Sequence, residues 1–150
     1  MSATKFHNLA RGVIIKSDYI LVAHEIGSSN TFLPGGHIEI GESVEAALTR
    51  EIFEEIGQEA IVGKYLGAVE HRWDDSGGTN FEINHLFALD VPGISPMENP
   101  LSREEHLEFY WVRLRELREH SLLPEKIMEL LIETDIDSIN AWWASDIRPD

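Results

Sequence analysis

The 150-residue sequence contains no cysteine. Disulfides, thiolate zinc sites and cysteine nucleophiles are thereby excluded. Basic residues are scarce, with 12 Lys and Arg against 27 Asp and Glu and a formal charge of −15. Affinity for long nucleic acid comes mainly from Lys and Arg on phosphates, so this balance counts against such a partner. A small phosphorylated substrate remains compatible, provided cations stand between it and the acidic chain. No apolar run is long enough to cross a bilayer, and the opening MSATKFHNLARG lacks the apolar core of a signal peptide. A cytoplasmic protein with no membrane partner is the expectation. Internal repeats, low-complexity segments and a GxSxG nucleophile motif are also missing. The seven histidines, His7, His24, His37, His71, His85, His106 and His120, show no HExxH or paired ligand spacing.

What is present is an ordinary globular composition, 43% hydrophobic and 26% charged, in a length suited to one domain over residues 1–150. The informative stretch runs from Leu33 to Gln58, LPGGHIEIGESVEAALTREIFEEIGQ. Pro34 and the pair Gly35-Gly36 read as a loop. Ser43 is a natural N-cap and Gly57 a left-handed C-terminal cap, which predicts a helix over Val44 to Ile56. At about 100° per residue from Val44, Ala47, Leu48, Ile52 and Ile56 form the core stripe, and Glu51, Glu54 and Glu55 fall within or beside it. Exposed like charges at this spacing cost only about 0.2 to 0.5 kcal/mol, but partly buried carboxylates lose roughly several kcal/mol of solvation each. Such groups take up a proton or find a cation. Three of them on one arc suggest a hard divalent ion with oxygen ligands, Mg²⁺ or Mn²⁺. Arg50, on the flank, is placed to hold the edge carboxylates through bidentate hydrogen bonds.

Gly36, Glu42, Arg50-Glu51, Ile52, Glu54-Glu55 and Gly57 together resemble the Nudix box, G-x5-E-x7-R-E-U-x-E-E-x-G-U with U aliphatic. Every charged and glycine position matches; Gln58 stands where the last aliphatic residue belongs. The resemblance implies an α/β fold, a Nudix-type α/β/α sandwich with a mixed β-sheet between helices. It implies a MutT-like hydrolase that cuts a phosphoanhydride in a nucleoside diphosphate linked to another moiety, by water attack on phosphorus. It further implies Mg²⁺ or Mn²⁺ held by Glu51, Glu54 and Glu55 with the backbone carbonyl of Gly35, a small phosphorylated metabolite such as a nucleotide as partner, and room for a homodimer. An additional acidic residue is expected from the region before the last strand, with Glu105 chosen and Glu108 next. Glu54 and Glu105 compete as general base, and Glu42 supports the loop or a metal-bound water. A non-catalytic nucleotide-sensing domain is the alternative. The isomerase branch of the fold relies on a cysteine that this chain lacks.

The remaining chain predicts a hairpin of Leu9 to Ile15 and Tyr19 to Ala23, then a polar loop over residues 26 to 31. A strand over Ala60 to Val62, a turn at Gly63-Lys64, and a long hairpin of Tyr65 to Trp73 and Phe81 to Val91 follow the helix. Phe109 to Val112 is a strand, Leu114 to His120 a helical connector, and Pro124 opens an amphipathic helix over Glu125 to Glu133. Arg11 reads either as an outward edge residue or as a phosphate contact. Trp73 and Phe81 read either as caps on the sheet or as stacking platforms for a nucleobase. Gly36 and His37 are substrate-binding candidates, and Trp142-Trp143 is expected to pack on this chain or a partner subunit.

Overall fold

The structure is a computed structural model that describes residues 3–137 and 140–147; the Trp143 side chain lies outside the described set. Among the described residues, eight strands and three helical segments follow one another: β1 (Ala3–Val13), β2 (Ile15–Lys16), β3 (Tyr19–Glu25), β4 (Gly35–His37), α1 (Val44–Ile56), β5 (Ile61–Asp75), β6 (Gly78–Asp90), β7 (Leu107–Arg113), a 3₁₀ segment (Leu114–His120), α2 (Glu125–Glu133) and β8 (Trp142–Ser145). They build two sheets, a five-stranded one in the order β4-β1-β6-β5-β8 and a three-stranded one in the order β2-β3-β7. The larger sheet is mixed, because β1 runs parallel to β6 and β8 parallel to β5. The smaller sheet is antiparallel.

Apolar faces from both sheets close two cores. Leu48 and Ile52 of α1 bury against Leu21, Phe109 and Trp111, while Ile127 and Leu131 of α2 bury against Val69, Leu86 and Trp142. The α/β sandwich expected from the sequence is therefore present, with α1 and α2 serving separate cores. Both helix boundaries match the expectation.

The strand arrangement departs from it in three places. The first apolar runs do not form one long hairpin: β1 stays in the larger sheet and β3 in the smaller, and only Ile15–Lys16 fold back onto Tyr19–Ile20. The alternation within a strand says which face it buries but not which strand it pairs with, and here β1 takes β6 in parallel over its full length. Gly63-Lys64 is not a turn but part of a register irregularity inside one continuous β5. Gly67 lies in the same irregularity at φ 139°, where a Cβ would come within 2.2 Å of the Trp142 carbonyl oxygen, so β8 can dock there only on a glycine. The Gly35-Gly36 segment, expected as loop, is the short strand β4, paired with Arg11 and Ala10 of β1. Trp142 packs within this chain, on β8.

Candidate active site

α1 begins where the Ser43 hydroxyl accepts the Ala46 N–H at 3.0 Å and ends where Gly57, at φ 68°, donates its N–H to the Phe53 carbonyl. The Ala47, Leu48, Ile52 and Ile56 side chains are buried, and this fixes the rotation of the helix. That rotation carries Glu55 inward to 5% exposure and leaves Glu51 partly buried, whereas the Glu54 side chain stays half exposed.

Glu55 accepts a hydrogen bond from the Gly35 backbone, yet its Oε2 is buried without a partner. Burial, then repulsion from Glu51, pushes its pKa up to about 8, against the pull of Arg11. The paired glycines explain how β4 fits between β1 and the Glu51 carboxylate. A Cβ on Gly35, at φ 137°, would lie 2.0 Å from the Ala10 carbonyl oxygen, and one on Gly36 would lie 2.6 Å from the Glu51 carboxyl carbon. Neither position tolerates a side chain without displacing β1 or Glu51.

Arg50 organises the flank. It grips Glu42 through two hydrogen bonds of 2.7 and 2.9 Å, donates to Glu51 at 3.0 Å and Glu54 at 3.3 Å, and holds the His37 carbonyl at 3.0 Å. Hydrogen bonds from Arg50, then from the Glu39 backbone, bring the Glu42 carboxyl down to about 2, and the Glu42 contact in turn raises the Arg50 pKa. One guanidinium thus ties the β4 strand, the loop after it and the helix together.

Arg11 is not an edge residue. It sits on β1 between β4 and β6, half-buried, donates to the Leu33 carbonyl at 3.1 Å and lies over the Phe32 ring at 5.4 Å. Burial lowers its pKa, opposed by Glu82, Glu55 and Glu51 in that order. Arg11, Phe32, Trp73 and Glu82 line two contiguous cavities of about 470 and 500 Å³. One reaches the carboxylate end, at Gly35, Gly36, His37 and Glu55; the other reaches Asn84, Leu123 and Ile127. Trp73 stacks on His7, whose Nδ1 and Nε2 meet His37 and Asn80 at 2.9 Å each. Burial, then His7, lowers the His37 pKa.

Two expected residues fall elsewhere. Phe81 pairs with Arg72 and Phe6, on the face of the sheet opposite Trp73 and Glu82, and packs under the Arg72 guanidinium at 5.8 Å. The two-residue period of a strand separates it from Trp73, because Trp73 pairs with Asn80. Glu105 is exposed and outside the cleft lining, and it is the neighbouring Glu104 whose charge reaches Glu55. Glu108 is occupied by His24 at 2.7 Å.

Glu82, Asn84 and Asn80 were not singled out in the sequence. Their alternation with Phe81 and Ile83 normally marks a solvent face, and here that polar face is the wall of the cleft. As placed, no three acidic or histidine side chains among the described residues gather round one point, since Glu54 turns outward to Arg50. The donor set still fits a hard dication: Glu55 offers an unpartnered buried oxygen, Glu51 lies beside it, and Gly36 leaves space for the Glu51 carboxylate.

A glycine strand pressed on a capped helix that buries an unpartnered glutamate, locked by an arginine, defines the class of site found in one hydrolase family. The NUDIX domain model matches residues 6–131, and the chain belongs to that family. Its sequence is 32% identical over 127 residues to the CTP pyrophosphohydrolase of Escherichia coli, covering 82% of this chain and 87% of that protein. Over 87 residues it is 39% identical to the ADP-ribose pyrophosphatase of Methanocaldococcus jannaschii, covering 55% and 49% respectively. The fold resembles the solution structure of the E. coli ORF135 protein, with a TM-score of 0.55, 26% identity and coverage of 85% and 87%. A MutT protein from Bacillus halodurans gives a TM-score of 0.63 at 18% identity, covering 86% and 84%.

Proposed function

We propose that the chain is a metal-dependent hydrolase that cleaves a phosphoanhydride in a nucleoside diphosphate linked to another group, with a nucleoside triphosphate the first substrate to try. The observation that carries this reading is Glu55: a carboxylate buried to 5% exposure with an unpartnered oxygen, beside Glu51, at one end of a cleft large enough for a nucleotide. Two of the similar curated proteins are named for pyrophosphate cleavage in CTP and in ADP-ribose.

Glu51 and Glu55, with Glu54 and the Gly35 carbonyl, are the candidate ligands. Bound Mg²⁺ or Mn²⁺ supplies neutralisation of the diphosphate and a lowered pKa for water. Arg11, facing Glu55 and Glu51 from β1, adds the protein's own positive charge to the phosphate path. Arg50 keeps the helix and strand in register so that Glu51 holds its place. Glu54, half exposed, is the candidate acceptor of the water proton, a role worth typically about 10² to 10⁴ in rate.

The test is a screen, with Mg²⁺ or Mn²⁺, for release of phosphate or pyrophosphate from nucleoside triphosphates and for release of the nucleoside monophosphate and sugar phosphate from nucleotide sugars and ADP-ribose. Release that needs the ion, and that Glu55→Gln lowers by about 10³ or more while the fold persists, is the expected result. Tight nucleotide binding without release under all conditions would favour a sensing domain instead.

A further inference from the structure

We propose that the cleft selects nucleotides whose base carries an amine at position 4 of cytosine or position 6 of adenine, and that Asn84 is the specificity-determining residue. The proposal rests on the nucleotide reading above, because that reading places the phosphates at the Glu55 end.

The cavity beyond Arg11 and Trp73 is about 500 Å³, room for a base and its sugar. Leu33, Leu123 and Ile127 give it an apolar side, and Phe32 and Trp73 offer aromatic faces where it joins the carboxylate end. Its polar groups are unbalanced. Asn84, 1% exposed, donates its Nδ2 to the Val69 carbonyl at 3.3 Å, and its Oδ1 is buried with no partner. Glu82 projects from the same face of β6, two residues away, and Glu25 comes from β3. All three offer acceptors, whereas Asn30 and His71, also in the lining, are engaged elsewhere, Asn30 donating its Nδ2 to the Thr31 carbonyl and His71 meeting Asp146 through Nδ1. Arg11 brings a guanidinium to the lining, at the junction with the phosphate end.

A buried acceptor left without a donor is costly, and a ligand that supplies the donor recovers that cost. The amine at position 4 of cytosine or position 6 of adenine is such a donor. Uracil and hypoxanthine present a carbonyl oxygen at the same positions, which would meet Asn84 and Glu82 acceptor to acceptor. The two pairs of bases differ little in size, so the apolar wall cannot tell them apart. The sheet register explains why the amide is there: Asn84 pairs with Leu9 and Val69 in the middle of the sheet, where its side chain is held behind the cleft and one of its hydrogen bonds is already committed.

The experiment compares matched pairs, CTP with UTP and ATP with ITP, by kcat/KM in Mg²⁺, and CMP with UMP by equilibrium binding. The wild-type protein is expected to favour the amine-bearing member of each pair by about tenfold or more. Asn84→Leu, close in volume but without the acceptor, should bring both ratios toward one, chiefly through loss of the preferred substrate. Glu82→Gln, a milder change on a less buried side chain, should reduce them partially and covers the case in which Asn84→Leu does not fold. Equal handling of CTP and UTP by the wild type, or ratios unchanged in a folded Asn84→Leu, would overturn the proposal. Absence of turnover with every nucleotide would count against the hydrolase reading alone, and the CMP and UMP affinities would then decide base selection: a preference for CMP sustains it, and equal affinities overturn it.

Discussion

Glu55 concentrates the chemistry of the site in one residue. It holds its proton up to a pH of about 8, whereas the unfolded chain releases it near the ordinary value of 4.5. Across that window the folded state binds more protons than the unfolded one, so stability falls as pH rises from about 4.5 to about 8 and is level above. Glu55→Gln removes this loss. In chelator, the melting temperature of the variant relative to wild type should climb by roughly 5 °C or more between pH 5 and pH 8, as followed by circular dichroism. Parallel pH profiles for the two proteins would show that Glu55 is not held protonated. The arc of acidic residues was legible in the sequence because three carboxylates shared a helical sector with aliphatic residues. Which of them goes deepest was not legible, since Glu54 and Glu55 flank the apolar stripe about 100° apart and the rotation of the helix, settled by packing against Leu21 and Trp111, decides which is buried.

At the scale of elements, the site is a contact between β4 and α1. Gly36 faces Glu51 so closely that a methyl group would collide with the carboxylate, whereas the backbone there keeps an ordinary negative φ. Gly36→Ala should therefore displace the Glu51 side chain and lower metal-dependent turnover by about tenfold or more, while the melting temperature moves only a few degrees. A variant with full activity would mean that Glu51 does not need its present position. Gly35→Ala should be worse for the fold, because its Cβ meets backbone of β1 rather than a movable side chain. The helix, its caps and the box spacing could be read from the chain because each depends on residues close in sequence. Strand partners could not: β1 joins β6 across more than seventy residues, and the alternation of Asn80, Glu82 and Asn84 looks the same whether it faces water or a cleft.

The whole molecule divides its stability between two cores and places the cleft along their boundary. Trp142 belongs to one core and is 9% exposed, and β8 carries it onto β5 near the irregularity at Gly67. Trp142→Ala should cost about 3 to 5 kcal/mol, measured by urea unfolding, and Asp146 would lose its hold on His71 and the Arg72 N–H as the strand loosens. A loss below about 1 kcal/mol would show that β8 is dispensable to this core. The formal charge of −15 also acts at this scale. On the proposed reading, Arg11 and Arg50 alone set against the acidic groups of the cleft would leave a polyphosphate repelled, and bound cations would complete the balance.

That requirement can be observed directly. A crystal of the protein soaked in Mn²⁺ and measured at a wavelength where manganese scatters anomalously should show a peak between Glu51 and Glu55, with Glu54 turned inward from Arg50. An empty anomalous map, with Glu55 still buried and Glu54 still on Arg50 at millimolar Mn²⁺, would contradict the account.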